Sequence, residues 1–541
     1  MKHPFIRNIL KIDALLDKQW PLFVALLLLF VLRIPNLVEP YWYGDEGIYL
    51  TIGQALNKGE VLYKEIIDHK TPIIYTLAQT HTQQNFRLLL IGWMLITTTC
   101  FYYVAKMLFK NNSIATFTAT IIFVLATTLP SFEGNIPNGE LFVMGFVLVG
   151  LTLLLKTPYL TRFFQPSEKK SSTASEPWIR YFLSGVFLSL GVLTKVPAVF
   201  DVALVFGIGF FTISNTVVGA SKKKLSLFVT ELKRSIPVWG LVVVGLLVPI
   251  VVSILFFISK GAGQAYLDFG LLYNFRYAGS WNLPFDNALL LFLFTLPGKA
   301  LVMTLFTIVL VLLKKYLSPT YQLILFWFGL TLFASLLSNR PYPHYYLQVA
   351  PAFSLLLAGI LFDGVGTAFK KSRKKDVLLG PLLGTISLMV FTAILLLLRV
   401  GLYPTVSYYR SFIQLSQGKL TTAEYNQRFD SLMTDNYAAV QAMEVCPDER
   451  LFIWGTNPML YALADRVPTG RFTVSFHIKD FDAYEETYTD FVTHTPSFVV
   501  VMNNEEGEFP AFYDYLRKNY RPSTNKFDSF ALWQKRDCNV E

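Results

Sequence analysis

Two neighbouring carboxylates, Asp45 and Glu46, stand in the stretch YWYGDEGIYL (41–50). A third acid, Asp68, opens DHKTPIIY (68–75), with His69 and Lys70 beside it. An ionised carboxylate can take a proton from a hydroxyl or an amine. Lysine and arginine can hold a departing phosphate, arginine through its two-pronged fork. Hydrolysis of a glycoside asks for something different: two carboxyls, one of which protonates a poor leaving group. A lipid phosphate leaves as a stable anion and needs cations rather than an acid. The pattern here, acids ringed by Lys and Arg, fits the second chemistry. Two simpler readings stay open. Asp is a favoured helix N-cap, and Lys70 can snorkel to a membrane interface.

Further polar groups fall in other short loops. FEGNIPNGE carries Glu133, Asn138 and Glu140, in what reads equally as a polar turn. YNFRYAGSW carries Arg276 between aromatics, and GVLTKVP carries Lys195 at the end of an apolar run. NRPYPHYYLQ carries Arg340, Tyr342, His344 and Tyr345. A boundary belt accounts for the tyrosines, whereas Arg340 and His344 need a further partner. Asp68 and His69 are metal-ligand types, but no third ligand is visible near them. No cofactor is therefore required, and a divalent metal stays an option.

The elements that hold these residues are mostly membrane spans. Of 541 residues, 53% are hydrophobic and 16% charged; soluble domains carry about 25% charged residues. That composition predicts a polytopic α-helical membrane protein. Runs long enough to cross lie near 20–38, 86–109, 113–130, 139–156, 179–195, 197–216, 236–258, 290–313, 320–338, 345–362 and 378–400, about eleven in all. The piece 72–79 is too short and reads as re-entrant or interfacial. Basic clusters at 106 and 110, at 162, 169, 170 and 180, at 222–224, at 314–315 and at 370–375 all fall on one side. The positive-inside rule makes that side cytoplasmic, with the N-terminus. The first apolar run lacks a small-residue cleavage site and reads as an uncleaved anchor. The net charge of +10 follows from these clusters and does not suggest nucleic acid.

The loops with the polar groups then face outward: 39–85, 131–138, 259–289 and 339–344. In the first, Ile48, Ile52, Ala55 and Leu56 recur at helical spacing, which predicts a helix lying on the bilayer plane. The chain divides at about residue 400. Residues 401–541 are more polar and alternate strand-like and helix-like pieces, which predicts a small extracytoplasmic α/β domain. RLFIWG (450–455) and SFVVVMNN (497–504) read as strands; AAVQAMEV (438–445) and FYDYLRKNY (512–520) read as helices. Cys446 and Cys538 lie in this tail, as a disulfide or as two buried thiols.

The stretch YGDEGIYLTIGQALNKGEVLYKEIIDHKTPIIY (43–75) resembles the C-type (GT-C) integral membrane glycosyltransferases. It is most similar to bacterial relatives of the protein O-mannosyltransferases and of the lipid A aminoarabinose transferase. GVLTKVP (191–197), HYYLQVAP (344–351) and WGTNPMLYALADRVPTGRF (454–472) also resemble family segments; the middle third matches in hydropathy only. The resemblance implies inverting transfer of a sugar from a polyprenyl-phosphate donor to an extracytoplasmic acceptor, which could be protein, lipid or glycan. It implies a multi-pass protein of the bacterial inner membrane. Asp45 and Glu46 would be the catalytic acids. Lys70 would contact the donor phosphate, with Arg340, His344, Tyr345, Lys195 and Arg276 as further substrate contacts. Some relatives carry two prolines after the lysine; here Thr71 precedes Pro72.

Two rival classes are a transporter or lipid flippase, and a non-catalytic scaffold acting through its tail. A transporter should show acids or broken helices at mid-membrane. The polar groups of this chain gather on one face instead.

Overall fold

A computed structural model describes residues 4–164, 177–218, 224–364, 379–505 and 507–538. The basic positions 169, 170, 222–223 and 370–375 lie outside the described residues. Every stretch expected to cross the membrane is mainly helical. Six helices are long and apolar enough to span by themselves, and up to eight if two bent pairs each count as one. The bent pairs are Gly139–Leu154 with Pro158–Phe164, turning by 85°, and Ala288–Phe294 with Leu296–Leu312, turning by 79°. Ser113–Thr128, Trp178–Val192 and Pro319–Ser335 are apolar helices of 16, 15 and 17 residues. At 1.5 Å per residue they fall short of a hydrocarbon core about 30 Å thick. Among the described residues, length and composition thus support six to eight of the roughly eleven expected spans.

Capping explains several boundaries. Thr82 accepts from the Asn85 amide and starts the helix Gln83–Leu108. Asn112 accepts from the amides of Ile114 and Ala115 and starts Ser113–Thr128. These side chains satisfy backbone donors that a helix start leaves open.

After the last apolar helix, Leu379–Leu397, the chain builds a five-stranded sheet. Its strands are β1 (Arg450–Trp454), β2 (Val467–Pro468), β3 (Phe498–Met502), β4 (Tyr520–Pro522) and β5 (Phe530–Lys535). They lie in the order β2-β1-β3-β5-β4. β1 runs parallel to β2 and β3, while β5 runs antiparallel to β3 and β4. Helices Leu432–Met443 and Pro510–Asn519 form where the helix-like pieces were expected. One apolar core runs from the membrane helices into this segment and includes Tyr75, Ile67, Phe472 and Trp454 together. Residue 400 is therefore a change in sequence character, not a break in packing.

That continuity corrects the reading of the first outer loop. The helix Gly44–Asn57 does not lie on lipid: Glu46 to Ala55 are all buried. The C-terminal segment covers it. Thr51 donates to the Pro458 carbonyl at 3.1 Å, and Gln54 donates to the Ala462 carbonyl at 3.0 Å. A Cβ at Gly47 would stand 2.8 Å from the Met459 amide nitrogen, so only glycine permits this approach. The apolar face read as membrane-seeking is a face for Pro458–Ala464. The short helix Ile73–Leu77 is likewise inside, with Ile74 and Tyr75 buried.

Cys446 and Cys538 form a disulfide across 92 residues of chain, with Cα atoms 6.3 Å apart, and Cys100 is a free thiol. Alkylation of the denatured, unreduced protein should label one cysteine of three, Cys100, in a peptide map. Labelling of all three would refute the pairing.

Candidate active site in the first outer loop

Tyr43 is extended and starts the helix at Gly44, with no side-chain cap. Asp45 is thus the second helical residue, and the capping alternative for it is excluded. Successive helical residues point about 100° apart. Asp45 and Glu46, adjacent in sequence, consequently face different surroundings.

Glu46 faces inward and is fully buried. Arg87 grips it in a fork, Nε to Oε1 at 2.8 Å and an η nitrogen to Oε2 at 2.6 Å. Gln83 adds a bond at 3.0 Å. The same guanidinium reaches Glu39 at 2.9 Å and the Asn36 carbonyl at 2.6 Å. A buried arginine between two carboxylates is a framework element; removing one partner of such a group leaves an unpaired buried charge. The structure therefore separates the two acids expected to act together.

Asp45 faces outward, its side chain 28% exposed. Its Oδ2 lies 3.5 Å from the Lys70 ammonium and accepts from Tyr49 at 3.1 Å. Lys70 is buried, not snorkelling, and also meets Asp68 at 3.4 Å. Tyr75 donates to Asp68 at 2.6 Å, and the Lys70 carbonyl accepts from Tyr63 at 2.7 Å. This tyrosine cage fixes the turn that delivers the ammonium to Asp45. Burial pushes the Asp45 carboxyl up, but Lys70, then His344 and Lys195, outweigh it, and the net position is below the ordinary carboxylate range. Burial likewise works against the Lys70 charge, and Asp45 and Asp68 more than reverse it. Both groups are held charged.

Lys70 lines a cavity of about 540 Å3. Its wall carries Lys70, Lys195, Lys299, Glu140, Tyr345 and Gln348 together with the apolar Phe275, Leu283, Leu291 and Phe294. Lys195 pairs with Glu140 and lies 4.3 Å above the Tyr345 ring. Tyr345 and Tyr277 share a hydroxyl contact at 3.3 Å. Arg340 rests 4.0 Å over the Tyr277 ring and donates to Ser280 at 2.9 Å. Lys70, Lys195 and Tyr345 are thus gathered around one space, although they come from three separate loops; Arg340 stands behind Tyr277 and does not itself line the cavity. Glu140, first read as part of a turn, belongs with them; it sits in the first turn of Gly139–Leu154.

His344 and Arg276 stand elsewhere. His344 pairs through Nδ1 with Glu133 and lies 3.0 Å from the Tyr43 hydroxyl. Glu133 adopts a left-handed backbone, φ 59°, to meet it. Arg276 is exposed and donates to the Asp480 carbonyl at 3.1 Å. Neither lines the cavity, so neither is placed to touch a ligand within it.

The missing third metal ligand comes from the C-terminal segment. Ile67 pairs with Phe472 in a parallel bridge, and this joins the loop to the chain that carries His477. Asp68, His69 and His477 place ligand atoms within 4.8 Å of one another, all buried. Asp68 Oδ1 lies 2.9 Å from His69 Nδ1 and 3.6 Å from His477 Nε2. None of these three atoms makes a hydrogen bond of good geometry. Convergent lone pairs without donors between them suit a divalent cation taking N and O ligands. His477 lies more than 400 residues from Asp68, and no spacing rule links them.

No protein-family model and no curated protein matches this sequence. Solved structures do. ArnT from Cupriavidus metallidurans, solved with undecaprenyl phosphate bound, matches with a TM-score of 0.50 at 13% identity, over 96% of this chain and 99% of that one. The archaeal oligosaccharyltransferase AglB from Archaeoglobus fulgidus, solved with an inhibitory peptide and a dolichol-phosphate, has a TM-score of 0.40 at 12% identity, over 97% of this chain and 75% of that one. At these identities the likeness concerns architecture, and the chain shares the fold of ArnT.

Proposed function

We propose that the chain is a membrane glycosyltransferase. It moves a sugar from a polyprenyl-phosphate donor to an acceptor outside the cytoplasm. The observation that carries this reading is an ionised Asp45 held 3.5 Å from a buried Lys70, which lines a cavity whose wall combines lysines with apolar and aromatic side chains. A polyprenyl phosphate has the matching parts. The solved ArnT with bound undecaprenyl phosphate has the same fold and supports the choice of donor.

The chemistry is a single displacement. Asp45 takes the proton of an acceptor hydroxyl or amine as that atom attacks the anomeric carbon. The bond from that carbon to the phosphate oxygen breaks on the opposite face, and the anomeric centre inverts. The phosphate keeps the bonding electrons, and Lys70 and Lys195 stabilise its charge. Glu46 and Arg87 position the helix that carries Asp45. Asp68, His69 and His477 would hold a divalent cation such as Zn2+, which fixes the loop bearing Lys70; no step of the transfer passes through it. We place the membrane helices in the bacterial inner membrane, with the N-terminus in the cytoplasm and residues 401–541 outside. The disulfide supports that side, since disulfides persist in oxidising compartments.

Asp45→Asn is isosteric and keeps the helix, but it cannot accept the proton. Transfer from a polyprenyl-phosphate sugar should fall about 10²- to 10⁴-fold, the range of general-base catalysis, with an unchanged melting temperature. Full activity in this variant would exclude the mechanism.

Lys70 holds the Asp45 carboxyl down, so Asp45 stays a base until pH falls through that depressed value. Removing the cation takes away the largest opposition to burial at that position, and the carboxyl rises. Lys70→Ala should shift the acid limb of the pH–rate profile to higher pH and raise KM for the donor more than for the acceptor. An unmoved limb, or equal rises in both KM values, would count against the pairing.

Purified protein should carry close to one equivalent of divalent metal by mass spectrometry. His477→Ala should lose most of it. Wild-type protein purified metal-free without chelator would dismiss the cluster as a metal site.

A further inference from the structure

A second cavity, of about 310 Å3, has no part in the mechanism above. Its size is within the ~300–1,000 Å3 of ordinary small-molecule sites. Four separate stretches build it: Trp42 from the first outer loop, Pro130 and Asn135 from the second, Tyr403 to Ser411 after the last apolar helix, and Arg428 with Phe429. The Trp42 ring lies 5.6 Å from the rings of both Tyr403 and Phe429. Tyr403 is exposed at the rim, and Trp42 and Phe429 are half-buried.

The wall is fixed from behind. Glu39 is buried and accepts from Trp42 Nε1 at 3.0 Å, from Asn135 at 3.1 Å and from Tyr408. Arg87 neutralises it. The Trp42 ring, Asn135 and Tyr408 therefore hold one orientation before any ligand arrives. Arg428 is set by Ser411 at 3.0 Å and Gln414 at 2.8 Å. Among the described residues it makes no salt bridge, and Glu424 acts on it only at longer range.

The lining discriminates between ligand classes. An acyl chain would not need Arg428, Asn135, Ser407 and Ser411 in its wall. A phosphate would call for several cations, and only one is here. Aromatic faces combined with hydroxyl, amide and guanidinium groups suit a sugar ring, whose C–H face stacks while its hydroxyls bond to the polar groups. The position also fits. Trp42 is three residues before Asp45, its ring meets the Tyr43 ring at 5.4 Å, and the Tyr43 hydroxyl joins the Glu133 and His344 pair. Leu402, Val406 and Ile413 are exposed beside the opening, as expected for a mouth at the membrane surface.

We propose that this cavity binds a pyranose sugar through Trp42, Tyr403, Phe429 and Arg428, and that this sugar belongs to the acceptor. Calling it the acceptor rests on the glycosyl-transfer reading; the binding itself does not. The test uses the full-length protein in nanodiscs and saturation-transfer NMR. The probes are methyl glycosides and disaccharides of glucose, galactose, mannose, N-acetylglucosamine and rhamnose. At least one should bind. Tyr403→Ala and Arg428→Ala, both at exposed positions, should each weaken it about fivefold or more, since one lost stacking contact is worth ~1 kcal/mol. Lys70→Ala should bind as the wild type does. The proposal is overturned if no probe binds, if nanodisc lipid occupies the cavity and no sugar displaces it, or if Lys70→Ala abolishes binding that Tyr403→Ala retains. If the cavity binds sugar while Asp45→Asn transfers normally, the cavity stands and the glycosyl-transfer reading fails.

Discussion

A buried ammonium between two carboxylates is the constraint on which this site depends. Lys70 is 8% exposed, with Asp45 at 3.5 Å and Asp68 at 3.4 Å. Taking a lysine out of water is unfavourable by several kcal/mol unless nearby charge restores what hydration supplied. The two acids do so, and the tyrosines at 49, 63 and 75 orient them and the chain between. The first loop has no regular structure wide enough to hold this charge alone. It is held because the C-terminal segment closes over it, through Thr51, Gln54 and the bridge at Ile67. The tail thus contributes to the site even though Asp45 and Lys70 belong to the first loop.

The helix Gly44–Asn57 divides its acids by simple geometry. A step of about 100° sends Glu46 to Arg87 and leaves Asp45 beside Lys70. The first acid works only if the second is satisfied, because an unpaired Glu46 in the core would favour another helix rotation. Arg87 serves two such acids at once, and Glu39 passes the same order on to Trp42, Asn135 and Tyr408. A single guanidinium thereby links the donor-side acid to the wall of the second cavity.

What could be read from sequence follows the range of each interaction. Apolar runs and strand-like patterns are local, and they located the helices and the strands β1 and β3. The nearness of Asp45 to Lys70 was legible because both lie in one loop with a family-like pattern. The helix face of Ile48 and Ile52 was legible as apolar, but lipid and protein make equal demands on an apolar face, so its covering by Pro458–Ala464 was not. His477 and Glu140 reach the site through tertiary contacts alone. Arg276 and His344 show the converse: the right residue type in the right loop, with the side chain committed to another partner. Length and composition alone do not fix the number of spans, because short apolar helices packed inside a bundle have the composition of spanning ones.

The charges explain how the site could respond to its substrate. In the structure two of the three lysines that line the cavity are already paired with acids, Lys70 with Asp45 and Asp68, and Lys195 with Glu140, while Lys299 donates to the Leu336 carbonyl and to Asn339. On the glycosyl-transfer reading, an arriving phosphate must compete with carboxylates for Lys70 and Lys195. Lys70 keeps Asp68 as a partner when it turns toward the phosphate, so the group given up is Asp45. An Asp45 that shares its lysine with a dianionic or monoanionic phosphate is a stronger base than one that holds it alone, since the carboxyl rises as opposing charge is withdrawn. Binding of the donor would then switch on the base that attacks it, and a bare site would keep Asp45 quiet against water. On the same reading, the pairing that stabilises the loop would also time the reaction.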